Sequence, residues 1–170
     1  MTGSIGARVL GPNDGRTGML GSMGVRFMLA GEETGGGFSL VEHPIPPRAL
    51  AAPLHRHTHE DEYSFVLEGR IGALLGDEVV YGGPGDLIFK PRGQWHTFWN
   101  DGDVPARILE MISPAGFERY FEDMVGLLLP GTPEPSELGA VAARYGLEVD
   151  RESISHLTQE YGVHWGPPAD

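Results

Sequence analysis

Residues 85–100 read GDLIFKPRGQWHTFWN, and this stretch gives the clearest indication of the fold. Two short apolar-rich runs, DLIFKP and WHTFWN, lie on either side of Gly93, a residue type that permits tight turns. Other runs of four to eight residues occur before and after it, mostly separated by Gly, Pro or Asp: EYSFVLEG, RIGALLG, EVVYG and ARILEMIS. Short strands at this spacing predict an antiparallel β-sandwich or β-barrel.

The composition also favours a fold built of strands. The chain has 170 residues, which suffice for one ordinary domain with a hydrophobic core. Its 26 Gly and 14 Pro leave little room for long helices. Hydrophobic residues make up 40% of the chain and are spread along it, so the composition does not indicate disorder.

The hydrophobic periodicity changes towards the end of the chain. Ser113–Pro114 offers a hydroxyl cap followed by proline, which predicts the start of a helix. Two further helices are predicted after the capping residues Ser136 and Asp150. We therefore expect an all-β barrel domain over residues 1–114. Over residues 115–170 we expect a small helical appendage that packs on the barrel and is not an independent domain.

Histidines are concentrated in the segment LHRHTHEDEY, residues 54–63. His55, His57 and His59 alternate, and alternate residues of a strand point to the same side. Together with Glu62 they are ligands typical of divalent transition metals. An HxH pattern on a solvated surface strand is equally compatible with these residues alone.

The two segments resemble the two sequence motifs of the cupin superfamily. The first motif is HxH, four residues, Glu, six residues and Gly; the second is Gly, five residues, Pro-x-Gly, two residues, His, three residues and Asn. The motifs are separated by 15 residues in this chain, a spacing typical of microbial single-domain cupins. Ala49 departs from the pattern, because the first motif usually opens with Gly at that position. Nine residues match: His55, His57, Glu62, Gly69, Gly85, Pro91, Gly93, His96 and Asn100.

The resemblance implies a cupin jelly-roll barrel of two antiparallel sheets that holds one divalent transition metal ion. The implied ligands are His55, His57, Glu62 and His96, and the ion could be Fe, Mn, Ni, Co, Cu or Zn. No other cofactor site is indicated. Such a site keeps positions open for substrate, and open sites are typical of catalytic metals.

His59 leaves an alternative open. A ligand set of His57, His59 and Glu62 is conceivable, but its spacing does not fit the cupin pattern. His59 is therefore interpreted as a solvent-facing loop residue, and His43 as an ordinary polar residue.

Strand alternation predicts the lining of a pocket above the metal. If His96 points inward, Phe98 does so too. Phe27, Leu109 and Met111 are further candidates for the lining. Two residues of the first helix, Phe117 and Phe121, could close the pocket. An apolar pocket of this kind suits an aromatic or polyketide-like small molecule.

Three classes of function are compatible with the complete ligand set. The first is a metal-dependent dioxygenase, similar to quercetin 2,3-dioxygenase, which acts on a phenolic, flavonol-like or enolisable substrate with Glu62 as catalytic base. The second is a non-redox metal enzyme: an isomerase, a lyase or a polyketide cyclase. The third is a binding or sensory protein without turnover. The intact ligand set favours an enzyme, and family resemblance favours the dioxygenase.

Other features bear on partners and location. The net charge of −12 argues against nucleic acid, whose phosphates need clustered Lys and Arg. The chain has no Cys, which excludes thiolate sites and disulfides. No signal peptide or membrane span is visible, so we expect a cytoplasmic protein. We also expect a homodimer, since cupins commonly pair and an unpaired sheet edge risks aggregation.

Overall fold

Two antiparallel β-sheets face each other in the computed structural model, which describes residues 6–129 and 131–166. The larger sheet has six strands, and its central strand pairs with neighbours that lie far away in sequence. In spatial order the strands are β1 (Thr17–Leu20), β2 (Met23–Leu29), β3 (Ser39–Ile45), β10 (Ala106–Ser113), β5 (Asp61–Glu68) and β8 (Leu87–Lys90).

The second sheet has five strands and supplies most of the predicted metal ligands. Its strands are β11 (Leu147–Asp150), β4 (Leu54–His57), β9 (His96–Asn100), β6 (Ile71–Leu75) and β7 (Glu78–Gly82). The two sheets together form a jelly roll, so the predicted all-β fold class is confirmed.

The main core lies between the sheets. On β10, residues Ala106, Ile108, Glu110 and Ile112 are buried, whereas the residues between them are only half-buried. This alternation is the expected pattern for a strand with one face against a core. The core also includes fully buried branched side chains from the other strands, among them Val41, Ile45, Val66 and Ile71.

Turn glycines bring the two histidine-bearing segments together. Gly93 has a φ of +77°, a left-handed conformation that a side chain would strain. Its N–H donates a hydrogen bond of 2.7 Å to the carbonyl oxygen of His57. The turn between β8 and β9 is thereby attached to the end of β4. Ala49, where the motif usually has Gly, is fully buried and does not have a positive φ, so the departure is accommodated.

Three α-helices follow the barrel strands: α1 (Glu118–Leu128), α2 (Pro135–Arg144) and α3 (Ser153–Tyr161). The first begins later than predicted, because Ser113 is still part of β10. Strand β11, which was not predicted, lies between α2 and α3 and pairs with β4, so the end of the chain contributes to the barrel sheet. Among the described residues, no helix is long and apolar enough to cross a membrane.

The third helix covers the outer face of the five-stranded sheet. Trp99 points away from the sheet interior and is fully buried. The ring of Tyr161 stacks on it with centroids 4.0 Å apart. Leu50, Leu157 and Val163 complete this second apolar cluster, which fixes the helix against β9.

Candidate metal centre and its pocket

The structure brings together the four ligands predicted from the motifs. His55 and His57 point from β4 to the same side, and His96 on β9 is the direct cross-strand partner of His55. Glu62 projects from β5 of the opposite sheet. One donor atom from each of the four side chains lies within 4.8 Å of all the others, and all four residues are buried. The cluster therefore lies between the sheets.

Backbone carbonyls fix the orientation of two of the imidazoles. The Nδ1–H of His55 donates to the carbonyl oxygen of Pro53 at 2.8 Å, and that of His96 donates to Gln94 at 3.0 Å. Because a carbonyl can only accept, Nδ1 must carry the proton in both rings. In the neutral imidazoles, each Nε2 lone pair is then free to bind a cation.

A carboxylate takes the place of the carbonyl at His57. Its Nδ1 lies 3.6 Å from Oε2 of the buried Glu60, and its Nε2 lies 3.4 Å from Oε1 of Glu62. Neither nitrogen has a hydrogen-bond partner among the described residues. A carboxylate that hydrogen-bonds to the back of a metal-binding imidazole orients the ring. At 3.6 Å, Glu60 is close to Nδ1 of His57 but does not make that hydrogen bond. Glu60 was not identified from the sequence, because it lies in a turn where strand alternation does not apply.

The geometry of the cluster fits a divalent cation. Nε2 of His96 lies 3.1 Å from Oε2 of Glu62. Burial lowers the pKa of His96, and it also lowers the pKa of His55 well below its ordinary value, which favours the neutral imidazoles. In neutral His96 the lone pair of Nε2 faces Oε2 of Glu62, and the two repel each other. A cation bound between these two atoms removes the repulsion. Three imidazole nitrogens and one carboxylate match the preferences of first-row transition metals.

His59 is exposed and lies outside the cluster. The solvent-facing interpretation is therefore confirmed, and the alternative ligand set that includes it is wrong. The physical reason is that β4 ends at His57, so the alternation does not continue to His59.

A second buried group of charged residues lies next to Glu62. The Nζ atom of Lys90 is 3.0 Å from Oε2 of Glu62 and 3.1 Å from Oε1 of Glu110. Ser64 donates a hydrogen bond of 2.7 Å to Oε2 of Glu110. Burial alone would lower the pKa of Lys90, but Glu110 and Glu62 more than offset this and raise it. Lys90 is therefore a cation held between two carboxyl groups.

The ligand cluster opens into a cavity of about 970 Å³. Phe117 contacts His57 edge-on, with ring centroids 4.2 Å apart, and stacks on Tyr120 at 4.8 Å. The remaining walls are largely apolar and come from the inner strands, from α1 and α2, and from β11. They include Phe98, Phe121, Met124, Leu138, Leu147 and Val149.

The predicted lining is correct only in part. Phe98, Phe117 and Phe121 line the cavity as expected, but Leu109 and Met111 do not, and neither does Phe27. Residues 109 and 111 lie on the outward face of β10, because its inward face carries residues 108, 110 and 112.

His43 was interpreted as an ordinary polar residue, yet it is buried and lines the cavity floor. Its Nδ1–H donates to the carbonyl oxygen of Gly24 at 2.9 Å. Its ring packs edge-on against Phe121, with centroids 5.2 Å apart. Burial lowers the pKa of His43 to about 4, so the ring is neutral around pH 7. No sequence pattern distinguished it from the other isolated histidines.

Comparison with known proteins agrees with this architecture. Residues 42–112 match the cupin domain family. The chain is 37% identical over 60 residues to the tetracenomycin polyketide synthase protein TcmJ of Streptomyces glaucescens. That alignment covers 35% of this chain and 40% of TcmJ, so it spans less than half of the relative.

Two solved structures have the same fold. The polyketide cyclase RemF from Streptomyces resistomycificus superposes with a TM-score of 0.55 and 26% identity, over 63% of this chain and 79% of RemF. A predicted oxalate decarboxylase from Thermotoga maritima gives 0.52 and 22%, over 54% of this chain and 80% of that protein. The fold, the ligand cluster and the family match lead to one conclusion: the chain has a cupin jelly-roll fold, its residues 42–112 match the cupin domain family, and this part of the chain contains a candidate metal site of three histidines and one glutamate.

Proposed function

We propose that the protein is a mononuclear metal-dependent enzyme that cyclises a polyketide-like chain of linked carbonyl groups. The observation that carries the proposal is the position of the buried ligand cluster at the floor of a large, mostly apolar cavity. A polyketide cyclase and a polyketide synthase protein are among the similar proteins, which supports this choice of substrate.

The cavity suits a ligand with a flat carbon skeleton. Its volume of about 970 Å³ is at the upper end for small-molecule sites. Phe117, Tyr120 and Phe121 present aromatic surface on one side of it, and aromatic rings stack favourably on conjugated groups. Apolar walls also exclude water, which strengthens electrostatic interactions with a bound carbonyl group.

His55, His57, Glu62 and His96 would hold the metal ion. The ion would supply Lewis-acid polarisation of a carbonyl oxygen. Glu62 also stays proposed as a catalytic base, as the resemblance implied. Burial would raise its pKa, but the neighbouring His57 and Lys90 hold the pKa well below its ordinary value, so Glu62 is ionised.

A metal-dependent dioxygenase is the second candidate. The specific observation in its favour is the donor set, because imidazole and carboxylate ligands also bind redox-active iron, manganese, copper and nickel. The same aromatic walls would accept a phenolic or flavonol-like substrate. The two candidates differ in one measurable requirement, the consumption of dioxygen.

The test uses purified protein loaded with one metal at a time. One assay follows conversion of 1-phenylhexane-1,3,5-trione, a linear triketone whose aldol cyclisation and dehydration give biphenyl-3,5-diol. The other assay follows oxygen uptake with quercetin and simple catechols. Cyclisation without oxygen uptake, in protein containing Zn²⁺, supports the cyclase. Oxygen uptake without cyclisation rejects the cyclase in favour of the dioxygenase. Activity in neither assay rejects both candidates and leaves an isomerase, a lyase, or a binding or sensory protein.

We also propose that two copies of the chain pair through the outer face of the six-stranded sheet. Phe65, Leu87 and Phe89 are 40%, 57% and 46% exposed and lie side by side on β5 and the edge strand β8. Tyr63 stacks on Phe89 at 5.0 Å and extends the apolar surface. A second copy would cover both this surface and the sheet edge. Three further expectations stay predictions. The protein binds a small-molecule substrate, it does not bind nucleic acid, and it is located in the cytoplasm.

A further inference from the structure

Arg151 is the only Lys or Arg among the described residues that lines the cavity. It follows directly after β11, the strand that pairs with β4. Leu147 and Val149 of β11 line the cavity too, and they are the cross-strand partners of His57 and His55. Because alternate residues of a strand point to the same side, Arg151 continues this inward-facing row. The guanidinium group therefore belongs to the same wall of the cavity as two of the candidate metal ligands.

The position of Arg151 fits a ligand that also reaches the candidate metal centre. Two residues of extended chain span about 7 Å, so the backbone of Arg151 lies about that far from Val149, the partner of His55. A molecule that fills the cavity can place one group at the ligand cluster and another at the guanidinium group. The wall between the two groups is apolar, since Val149 lies between them.

Arg151 is also the only Lys or Arg without a carboxylate partner in the described part of the chain. Every other Lys or Arg side chain forms an ion pair with Asp or Glu. In a chain with 24 Asp and Glu against 12 Lys and Arg, a cation without such a partner is exceptional. Glu134 lines the same cavity from the residue before α2, but it does not pair with Arg151. The positive charge is thus available to an anionic ligand.

We propose that Arg151 binds a carboxylate group of the substrate, so that the natural substrate is a polyketide-like carboxylic acid and not a neutral ketone. This inference rests on the proposed cyclase function and names the substrate class. The planar guanidinium group can donate two parallel hydrogen bonds to a carboxylate, which fixes the orientation of the ligand as well as adding affinity. Arg151 holds the anionic end while a carbonyl group of the same molecule reaches the ligand cluster. It determines specificity and takes no part in the chemical step.

The surroundings of Arg151 suit an anion. Tyr120 also lines the cavity, and burial raises its pKa to about 12, although the nearby charge of Arg151 acts to lower it. The hydroxyl group of Tyr120 therefore stays protonated around pH 7 and can donate a hydrogen bond. The two buried carboxyl groups of the cavity, Glu62 and Glu110, are both paired with Lys90. Their negative charges are thus partly compensated within the protein.

The experiment compares two probes in the zinc-loaded protein at low ionic strength. The first is 4-(3,5-dioxohexanoyl)benzoic acid, which is the linear triketone with a carboxylate on its phenyl ring; the second is the uncharged methyl ester of this acid. By calorimetry, wild type should bind the acid about tenfold more tightly than the ester. This is the lower end of the effect of hydrogen bonds to charged groups, because Arg151 is exposed to solvent. Added salt should reduce the preference by screening the two charges.

Three variants assign the preference to one side chain. Arg151→Gln should bind the acid no more tightly than the ester, with the affinity for the ester and the zinc content within about twofold of wild type. Arg151→Lys keeps the charge without the planar fork and should retain part of the preference. Arg144→Gln is the matched control, because Arg144 pairs with Asp123 and does not line the cavity, and it should keep the full preference.

The possible outcomes separate this inference from the proposed function. Equal affinities of wild type for the acid and the ester, or an undiminished preference in Arg151→Gln, would overturn the assignment of Arg151 even if both probes are cyclised. A preference for the acid that depends on Arg151, without cyclisation of either probe, would support the carboxylate site and reject the cyclase. Binding of neither probe would overturn both proposals.

Discussion

The ammonium group of Lys90 lies 3.0 Å from Oε2 of Glu62, and both side chains are buried. The same ammonium group is 3.1 Å from Glu110 and 4.5 Å from the centre of the Phe98 ring. A candidate metal ligand and a cavity carboxyl group therefore share one buried counter-ion. Glu62, Lys90 and Glu110 belong to the six-stranded sheet, whereas the three histidines of the cluster belong to the five-stranded sheet. The polar residues of the two sheets therefore meet at Glu62.

Replacing Lys90 with Met should strongly destabilise the metal-free protein. Two buried carboxyl groups would lose their counter-ion, and breaking a buried ion pair costs about 3–5 kcal/mol. Urea denaturation after treatment with a chelator measures the effect. The double variant Lys90→Met with Glu110→Leu should recover part of the loss, since only one carboxylate is then left unpaired. A single variant as stable as wild type would contradict the role given to Lys90.

Metal content should depend on His96 and not on His59. His96→Ala removes one of the four buried candidate ligands and should abolish retention of a full equivalent of metal after dialysis against a mild chelator. His59→Ala should retain the wild-type amount, because that side chain is exposed. Elemental analysis of both dialysed variants, with circular dichroism to check the fold, decides the matter. Equal losses in the two variants would show that the ligand set is incorrect.

Removing the carboxylate behind His57 should weaken metal binding without removing a ligand. In Glu60→Ala the ring of His57 loses the group that faces its Nδ1 at 3.6 Å. We expect the affinity for Zn²⁺ to fall about 10- to 100-fold, the usual effect of losing such a partner. Competition with a chromophoric chelator gives the dissociation constant. Glu148→Gln is a suitable control, since Glu148 pairs with Arg56 on the surface of the same sheet; an equal fall in that variant would refute the specific role of Glu60.

Acid should remove a stabilising contribution of His43. Burial lowers its pKa from 6.5 to about 4, although Glu62 and Glu42 act to raise it and Lys90 acts to lower it further. Between these pH values the unfolded chain binds a proton that the folded protein does not, so this contribution is complete above pH 6.5 and is lost as the pH falls towards 4.

The comparison is between metal-free wild type and His43→Asn, whose amide can still donate to Gly24. The free energy of unfolding of wild type relative to the variant should decrease by about 3 kcal/mol from pH 7 to pH 4. Urea denaturation of both proteins at several pH values measures this difference in the free energy of unfolding. A difference that is independent of pH would show that His43 is not held neutral.

The proposed dimer can be tested at its exposed apolar surface. Wild type should have twice the mass of one chain, 18.4 kDa, in light scattering at micromolar concentration. Phe89→Glu places a charge in the apolar surface on the edge strand and should give monomers with an unchanged circular dichroism spectrum. Val104→Glu, at an exposed apolar residue away from this strand pair, should remain dimeric. A monomeric wild type would refute the proposal.

The candidate metal ligands could be predicted from the sequence because the two segments that carry them match the cupin motifs. Alternation on a single strand puts His55 and His57 on one side, and the turn glycine at residue 93 directs the strand that carries His96. Each of these relationships extends over only a few residues, and by itself the HxH pattern was equally compatible with a solvated surface strand. The family resemblance then supplied the link between the two segments.

The polar residues around the ligands were decided by tertiary structure. A glutamate on β10 is expected to face solvent unless a partner is buried with it, and the partners of Glu110 are 20 and 46 residues away along the chain. The cavity itself depends on the packing of α1 and α2 over the barrel and on the pairing of β11 with β4. Local sequence patterns, together with the family resemblance, predicted the fold class and the candidate metal ligands of this protein. Which charges are buried together, and what closes the pocket, depended on contacts between distant segments, because the cost of burying a charge is set by the groups that surround it in the folded chain.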